Sequence, residues 1–415
     1  MNILFLTQII PYPPDAGPKV KTWHVLRYLA SRGHTLILAS FVRPEEQQHV
    51  SSLRQVCSEV YTVPIHRSQV SNIRYWLRSQ ITRRPYLVER DDQTAMRDCI
   101  ANILATHTID CIHADQFSMA QFALLKDSPG TGRRQPLLVF DDHNAVWTIV
   151  ERMAGNVPWY LRPVVKLEAR RVKIYEGSIV NGFDQTLAVT EIDRQYLQEA
   201  QKAHLADSRL PNDGQLRDKV TVVPIAVDTE KLQPVSRKTG SQKLFTMGTL
   251  HYPPNADGIR WFVQEVFPLI QKEIPDVRLT VAGRNPPPDF LQIEKESKGA
   301  ITVTGYLTDL RPSLEETAVM IVPVRAGSGM RVRILEAFAQ AMPVVTTTVG
   351  LEGIEARPGF DVLVADTPEE FATSVIGLVK DEKLQAQLAV NGRQLAESQY
   401  DWKVVLQRMD SIYGS

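Results

Sequence analysis

Short apolar runs alternate with longer amphipathic stretches along this chain. Residues 3–7 are mostly apolar, residues 21–31 follow a helical spacing, and residues 34–40 contain a second apolar run after Gly33. A strand, a helix and a second strand in that order predict a parallel sheet with right-handed crossovers. Similar runs predict further strands at residues 110–113, 137–141, 185–189 and 220–224.

The same alternation starts again after a polar stretch at residues 228–242. It predicts five more strands, at residues 244–247, 277–282, 301–304, 318–323 and 344–347, and then two terminal helices, at residues 384–398 and 402–412. The pattern predicts an α/β chain with two Rossmann-like, doubly wound parallel-sheet domains that face each other across a cleft. We place these domains at residues 1–227 and 228–395, and expect residues 396–415 to cross back to the first domain.

Composition narrows the class of protein. The 415 residues correspond to about two or three domains, and 43% hydrophobic with 23% charged residues is typical of a globular chain. Lys plus Arg and Asp plus Glu each number 47, so the net charge of zero argues against nucleic-acid binding. No signal peptide or stretch of 18 apolar residues is recognisable, and three scattered cysteines fit a reducing compartment. We therefore expect a cytoplasmic protein.

Several kinds of active site lack their sequence signature. The loop after the first strand has no dinucleotide fingerprint, and the chain has neither a P-loop nor a nucleophile elbow. Asp141 and Asp142 beside His143 could hold a divalent cation. Adjacent residues at a strand end point to opposite sides, which favours a turn and helix start instead, so we expect no metal site.

The most informative segment is residues 321–338. A buried strand leads into the Gly-Ser-Gly turn at residues 327–329, and a helix follows. Unsatisfied amides at such a helix start bind anions, and Arg325, Arg331 and Arg333 are fork donors suited to a diphosphate. Glu336 could accept two hydrogen bonds from the hydroxyls of a ribose. The alternative is that Glu336 and the arginines are ordinary solvated helix residues.

Residues 328–345 resemble the nucleotide-sugar motif of the retaining glycosyltransferases of family 4, which have the GT-B fold. Their form is similar to a bacterial subgroup that makes exopolysaccharide and other surface glycans. Glu336 matches the motif glutamate that binds the donor ribose, while Ser328 stands where the family has its other glutamate. The resemblance assigns donor binding to Gly327, Ser328, Gly329, Met330, Arg331, Arg333 and Glu336.

Other stretches agree with this resemblance. Residues 223–234 look like the family's joint between domains, and residues 247–258 take the place of its phosphate loop, with Gly248 and Thr249. Thr249 and Asn255 stand where the family often has Arg and Lys, which makes Arg331 and Arg333 candidate substitutes. The family holds the donor base near the positions of Arg284 and Tyr306.

The first domain adds two candidate residues. Residues 12–17 resemble the opening loop of the subgroup, whose glycine, here Gly17, faces the donor phosphates. His143 matches the family histidine that lies beside the donor sugar. From the residues alone, a single histidine after a strand is more often a neighbour of a helix cap or a satisfied polar contact.

The resemblance implies a metal-independent transferase without a cofactor. It would move a hexose-type sugar from a UDP- or GDP-sugar to a saccharide or lipid-linked acceptor with retention of configuration, and its catalytic residues would be His143, Arg331 and Glu336. Two alternatives remain open. The chain could be a non-catalytic partner that binds nucleotide-sugars, or a nucleotide-sugar epimerase with the GT-B fold.

A basic, aromatic stretch is the candidate for acceptor or membrane contact. Six arginines fall between residues 67 and 90, and no acid occurs between Arg67 and Val88. We assign acceptor or membrane contact to Lys19, Arg74, Trp76, Arg78 and Arg83. A second such cluster lies at residues 160–173. Both fit a peripheral contact with an anionic inner leaflet, and both also fit ordinary solvated helix faces.

Overall fold

The computed structural model of the protein describes residues 1–65, 67–124, 135–155, 157–208, 218–327 and 329–414. These residues form two compact units. The first runs from Met1 to Ile225 and includes the end of the described chain from Leu406, and the second runs from Ala226 to Val405. The chain thus returns to the first unit at Leu406, later than the expected boundary at residue 396.

The first unit contains seven strands. They are β1 Asn2–Thr7, β2 Thr35–Val42, β3 Glu59–Pro64, β4 Cys111–Asp115, β5 Leu137–Asp141, β6 Gln185–Ala188 and β7 Val220–Val222. They lie in the order β3-β2-β1-β4-β5-β6-β7, and every neighbouring pair is parallel. This is the predicted parallel sheet.

Helices connect these strands. They are α1 Gly17–Ser31, α2 Val50–Leu53, α3 Gln69–Thr82, α4 Tyr86–Asp91, α5 Thr94–Thr106, α6 Ala120–Ala123, α7 Val146–Met153, α8 Arg162–Gly182 and α9 Glu191–Ser208, with a 3₁₀ helix at Pro44–His49. The strand order changes direction between β1 and β4, which is where a doubly wound sheet forms its binding crevice. Thr7, Asp115 and Asp141 end β1, β4 and β5 in register and lie side by side at this edge.

The second unit contains six strands: β8 Lys243–Met247, β9 Arg278–Ala282, β10 Ile301–Gly305, β11 Thr317–Val322, β12 Val344–Thr346 and β13 Leu363–Val364. They lie in the order β10-β9-β8-β11-β12-β13 and are also all parallel. The helices are α10 Pro253–Trp261, α11 Phe267–Glu273, α12 Pro288–Glu296, α13 Arg311–Glu315, α14 Val332–Ala339, α15 Thr348–Leu351, α16 Pro368–Lys380, α17 Glu382–Leu395 and α18 Trp402–Val405, with π-helical turns at Phe262–Val266 and Ala396–Tyr400.

Each sheet has its own hydrophobic core. Phe41, Phe122 and Phe140 are fully buried in the first, and Phe262 and Phe290 are buried in the second. The sequence pattern missed β3 because most of its residues are only half-buried, so an apolar run is absent there. It missed β13 because that strand has two residues.

The end of the chain packs on the first unit, as predicted. After a 3₁₀ helix at Leu406–Met409, α19 spans Asp410–Tyr413. The Tyr28 hydroxyl donates to Asp410 Oδ1 (2.7 Å), and the buried Tyr413 hydroxyl is hydrogen-bonded to His113 Nδ1. In the described part of the chain, no helix combines the length and the apolar character needed to cross a bilayer.

Candidate functional site

The turn before α14 needs its glycines. Gly327 has φ +112° and Gly329 φ +83°, in a region that other residues rarely adopt. A Cβ atom on Gly327 would lie 3.3 Å from Arg331 Nη2, and Arg331 Nη1 donates to the Gly329 carbonyl. Met330 is buried. Ser328, which the resemblance assigned to the donor, lies outside the described residues.

Helix α14 begins directly after this turn with uncapped amides. Its N-cap residue is Arg331, no side chain caps it, and its first turn contains no acid. The first N–H groups of a helix lack intrahelical partners, and the helix dipole adds a partial positive charge. Ile334, Leu335 and Phe338 are buried and fix the helix in the core. An anion fits such a helix start.

Arg333 ties α14 to the loop after β8. Its Nη1 donates to the Met247 carbonyl and its Nη2 to Asn255 Oδ1, both at 2.9 Å. Gly248 passes so close that a Cβ atom there would lie 2.3 Å from Arg333 Nη1. Burial, reinforced by the charge of Arg331, lowers the pKa of Arg333 to about 10. Arg333 Nε is buried without a hydrogen-bond acceptor among the described residues, so an oxygen supplied by a ligand would relieve an unfavourable state.

Glu336 lies one turn further along α14. Its carboxylate is half-buried and accepts no hydrogen bond from the residues that the structure describes. Burial raises the pKa of Glu336, and the positive charge of Arg333 partly offsets that effect. The carboxylate is therefore available to a ligand, and a pair of ribose hydroxyls could donate to it.

The loop after β8 is closed by an asparagine. Asn255 Nδ2 donates to the Thr249 carbonyl (3.1 Å), while Asn255 Oδ1 accepts from Arg333. Thr249 itself is exposed. The guanidinium of Arg333 therefore lies against the loop in which the resemblance expects a cation at residue 249 or 255.

Arg284 and Tyr306 lie together after β9 and β10. The guanidinium carbon of Arg284 is 4.1 Å from the centroid of the Tyr306 ring, and that ring is 51% exposed. Gly283 N donates to the Gly305 carbonyl (2.7 Å), which fixes the two loops side by side. A cation stacked on a half-exposed ring provides a flat surface for a planar base.

Arg325, which precedes the glycine turn, contacts an acid and an aromatic ring. Arg325 Nη2 lies 3.2 Å from Asp257 Oδ2, and its guanidinium carbon is 5.3 Å from the Trp261 ring centroid. The sequence pattern groups Arg325 with Arg331 and Arg333 as a diphosphate donor. The structure separates it from them by this ion pair.

In the first unit, His143 is held by the carboxylate of Asp115, which the sequence pattern did not indicate. His143 Nε2 lies 2.9 Å from Asp115 Oδ1, and Asp115 Oδ2 accepts from Thr22 Oγ1 (3.0 Å) and Thr7 Oγ1 (3.1 Å). A carboxylate only accepts hydrogen bonds, so the neutral ring carries its proton on Nε2 and keeps a lone pair on Nδ1. Nδ1 is buried and has no hydrogen-bond partner in the described part of the chain.

Asp141 belongs to a second buried group. Lys21 Nζ contacts its Oδ1, and His113 Nε2 lies 3.6 Å from its Oδ2. Burial alone would raise the pKa of Asp141, but Lys21 and two histidines hold it below its ordinary value. His113, Asp115 and Asp141 offer atoms within 4.8 Å of one another that could ligate a metal ion. The ammonium of Lys21 already provides a positive charge there.

Asp142 points to the opposite side, as the strand alternation predicted, and joins two further buried carboxyls, those of Glu176 and Asp193. Glu176 Oε1 accepts from Val146 N (2.8 Å), and Thr190 Oγ1 donates to Asp193 Oδ2 (2.6 Å). Burial raises the pKa of Glu176 to about 8, and burial together with the charge of Glu176 raises the pKa of Asp142 well above its ordinary value. Nothing in the sequence marks Glu176, because it lies within a long, highly charged helix.

Gly17 and Lys19 lie at the start of α1. Gly17 is the first helical residue, and its N-cap residue Ala16 offers no side-chain hydrogen bond. Lys19 Nζ lies 3.6 Å from Asp15 Oδ1 and 3.4 Å from Glu46 Oε1. Lys19 thus forms ion pairs within its own unit, and its role toward an acceptor stays a prediction.

Most arginines of the basic stretch are paired with acids that follow it directly. Arg67 and Arg90 pair with Asp91, Arg78 pairs with Glu89, and Arg84 pairs with Glu89 and Asp92. The interval without acids ends one residue before Glu89, and α4 turns these acids back onto the arginines. Arg74 and Arg83 remain without an acidic partner among the described residues, and Trp76 beside them is 45% exposed.

The sequence of this chain is similar to those of known proteins. Residues 241–381 match the family model described as Glycosyl transferases group 1. A relative from Klebsiella pneumoniae, an uncharacterized 44.6 kDa protein in the cps region, is 23% identical over 97% of this chain and 97% of its own length.

Solved structures share the fold over the whole chain. HepE from Anabaena in complex with UDP has a TM-score of 0.67 at 13% identity and covers 100% of both chains. WaaG, a glycosyltransferase involved in lipopolysaccharide biosynthesis, has a TM-score of 0.62 at 14% identity and the same coverage. TarM of S. aureus, in complex with fondaparinux, alpha-GlcNAc-glycerol and UDP, has a TM-score of 0.66 at 10% identity, again over 100% of both chains. Identities this low show a common fold and no more.

Proposed function

We propose that this chain, which has the GT-B fold and matches the group 1 glycosyltransferase model over residues 241–381, is a glycosyltransferase that transfers a hexose-type sugar from a UDP- or GDP-sugar with retention of configuration. The observation that carries this proposal is the start of α14. Residues 331–336 bring together the uncapped amides of the helix, Arg331, the unpaired Nε of Arg333 and the half-buried carboxylate of Glu336. Anion donors followed by a free carboxylate match a diphosphate followed by a ribose.

The donor would bind in the second unit. Its diphosphate would lie against the first amides of α14, with Arg331 as a side-chain donor and the glycines at 327 and 329 allowing close approach. Glu336 would accept from the ribose hydroxyls, and the base would rest near Arg284 and Tyr306. Arg333 would position the Gly248 loop, since both of its terminal nitrogens are already bonded there.

The reaction would break the bond between the anomeric carbon and the diphosphate oxygen and form a bond from that carbon to an acceptor oxygen. The acceptor proton would pass to the leaving diphosphate. Charge develops on the diphosphate as the bond breaks, so donors that are already in place lower the barrier. We propose that arginine and helix amides stabilise this charge without a metal ion or cofactor, and that the Nδ1 lone pair of His143 accepts a hydrogen bond from the donor sugar.

The acceptor would be a saccharide or a lipid-linked glycan of a surface polysaccharide or glycolipid, made in the cytoplasm. The relative in a cps region supports this assignment.

The decisive experiment separates donor binding from sugar transfer. Thermal shift would be measured with UDP, GDP and ADP, and transfer with UDP- and GDP-sugars and extracted bacterial lipids, for the wild type, Glu336→Gln and Glu265→Gln. Glu265 is an exposed glutamate of the same unit and serves as the matched control. We expect UDP or GDP to raise the melting temperature of the wild type and of Glu265→Gln, and Glu336→Gln to weaken nucleotide binding about tenfold or more, since it loses a charge-assisted pair of hydrogen bonds.

Equal binding by Glu336→Gln and wild type would overturn the donor site. Nucleotide binding without transfer to any acceptor would favour a non-catalytic binding partner. Release of an epimerised sugar without an acceptor would favour an epimerase.

A further inference from the structure

Helix α3 presents an apolar stripe to solvent. Val70, Ile73, Leu77 and Ile81 are 79%, 62%, 52% and 83% exposed. Their spacing of three, four and four residues places them on one face of the helix. Trp76, 45% exposed, lies at the edge of this stripe. A surface helix ordinarily turns such a stripe toward the core, so α3 has the reverse orientation.

A second row of exposed apolar and aromatic side chains lies just before α8 and in its first turns. Trp159 and Tyr160 are 78% and 61% exposed and meet edge to face, with ring centroids 6.0 Å apart. Val164 and Leu167, on the first turns of α8, are each 49% exposed. Large side chains of this kind rarely stay exposed in groups unless they contact another molecule or a membrane.

The two rows adjoin within the first unit. Arg171 Nη1 of α8 donates to Gln80 Oε1 of α3 at 3.0 Å. Gln80 lies one turn beyond Leu77 on α3, and Arg171 lies two turns beyond Val164 on α8. We call the surface formed by residues 70–83 and 159–167 the α3–α8 face.

Unpaired cations surround this apolar area. Arg74, Arg83, Arg162 and Lys166 have no acidic partner among the described residues. Helix α3 contains no acid at all. The acid of α8 nearest to these residues, Glu168, is engaged by Tyr86 N and Arg171. The α3–α8 face therefore carries a net positive charge around an apolar centre.

We propose that the α3–α8 face docks on the surface of an anionic lipid bilayer. Aliphatic side chains would enter the acyl boundary, Trp159 and Tyr160 would sit at headgroup depth, and the four cations would meet lipid phosphates. A second copy of the chain fits less well, because a two-fold interface would bring the same unpaired cations together. The inference uses residues outside the donor site and does not depend on the proposed transfer reaction.

Vesicle flotation of the full chain tests the inference. The vesicles would be phosphatidylcholine alone or phosphatidylcholine with about one third phosphatidylglycerol. We expect the wild type to float with the anionic vesicles and to float poorly with the neutral ones. Ile73→Gln, Leu77→Gln and Ile81→Gln combined should lower the bound fraction about tenfold or more, because three inserting side chains are lost. Arg74→Ala with Arg83→Ala should lower the partition coefficient about fivefold per arginine.

The control changes two exposed apolar residues of the second unit. Val390 and Leu291 are 64% and 47% exposed, and Val390→Gln with Leu291→Gln should float like the wild type. Circular dichroism and the melting temperature of the protein without ligand show that each variant is folded. Wild-type protein that stays at the bottom with anionic vesicles overturns the proposal, as does an apolar triple variant that floats normally. The proposal is also overturned if the wild type is a dimer, the apolar triple variant is a monomer, and both bind vesicles equally. The α3–α8 face would then join two copies of the chain.

Discussion

His143 Nε2 lies 2.9 Å from the carboxylate of Asp115, which is itself held by two threonine hydroxyls. The contact joins the loop after β5 to the end of β4 and fixes which ring nitrogen carries the proton. Asp115 is thus a positioning residue for the lone pair on His143 Nδ1.

Replacing Asp115 by Asn should therefore lower kcat far more than it changes the KM for the donor. An asparagine amide can donate to the ring, which moves the ring proton to Nδ1 and removes the free lone pair. We expect kcat to fall about a hundredfold and donor KM to stay within about twofold, since the donor nucleotide is proposed to bind the second unit. Steady-state kinetics of Asp115→Asn measure both constants.

Asp98→Asn is the control for this change, because Asp98 is an exposed acid on α5 of the same unit. It should behave like the wild type. An Asp115→Asn enzyme with full kcat, or with equal losses in kcat and donor affinity, contradicts the positioning role.

The Gly248→Ala change should disturb the donor loop through Arg333. The added Cβ would lie 2.3 Å from Arg333 Nη1, so the guanidinium must leave the Met247 carbonyl and Asn255. We expect a lower melting temperature and nucleotide binding about tenfold weaker, measured by thermal shift and isothermal titration.

Gly377→Ala provides the contrast. Gly377 lies within α16, and a Cβ atom there would meet nothing within 4 Å. Alanine should stabilise the protein by about 0.5–1 kcal/mol at this helical position and leave nucleotide binding unchanged. Equal effects of the two substitutions would refute the close contact at Gly248.

The buried carboxyls around Glu176 should make the stability of the protein depend on pH. Burial raises the pKa of Glu176 from 4.5 to about 8, so between these values the folded state binds more protons than the unfolded state. The free energy of unfolding must then fall as pH rises through this window. Glu176→Gln mimics the protonated carboxyl and should flatten the decline.

Urea unfolding of the wild type and Glu176→Gln between about pH 5 and 8 tests this prediction. The difference between the two proteins reports the titration of Glu176 together with that of Asp142, whose pKa the charge of Glu176 raises. If the free energy of unfolding of the wild type rises relative to that of Glu176→Gln as pH increases across this window, the raised pKa of Glu176 is contradicted.

The Tyr413→Phe change should loosen the end of the chain. It removes the hydrogen bond between the buried Tyr413 hydroxyl and His113 Nδ1 and leaves a buried nitrogen without a partner. We expect a loss of about 1–3 kcal/mol in the free energy of unfolding. Tyr252→Phe, at a 49% exposed position of the second unit, should leave the free energy of unfolding nearly unchanged. A similar loss at both positions would argue against a stabilising Tyr413–His113 hydrogen bond.

The alternation of strands and helices was readable from the sequence because buried parallel strands are continuous apolar runs. It predicted two doubly wound sheets, the opposite directions of Asp141 and Asp142, and the return of the chain end to the first unit. It missed β3, a half-exposed edge strand whose apolar and polar residues are mixed. The motif around Glu336 was equally local, because a glycine turn and the helix after it are neighbours in sequence.

Contacts between distant segments were settled by the tertiary structure alone. Asp115 meets His143, Asn255 meets Arg333, and Glu89 turns back onto Arg78, because strand register and helix packing bring residues together that sequence spacing keeps apart. For the same reason, most arginines of the basic stretch proved to be paired with acids. That the apolar stripe on α3 faces solvent was known only from the exposure of its side chains in the structure. Local pattern thus determined which elements form, and packing decided which charges and apolar faces remain available.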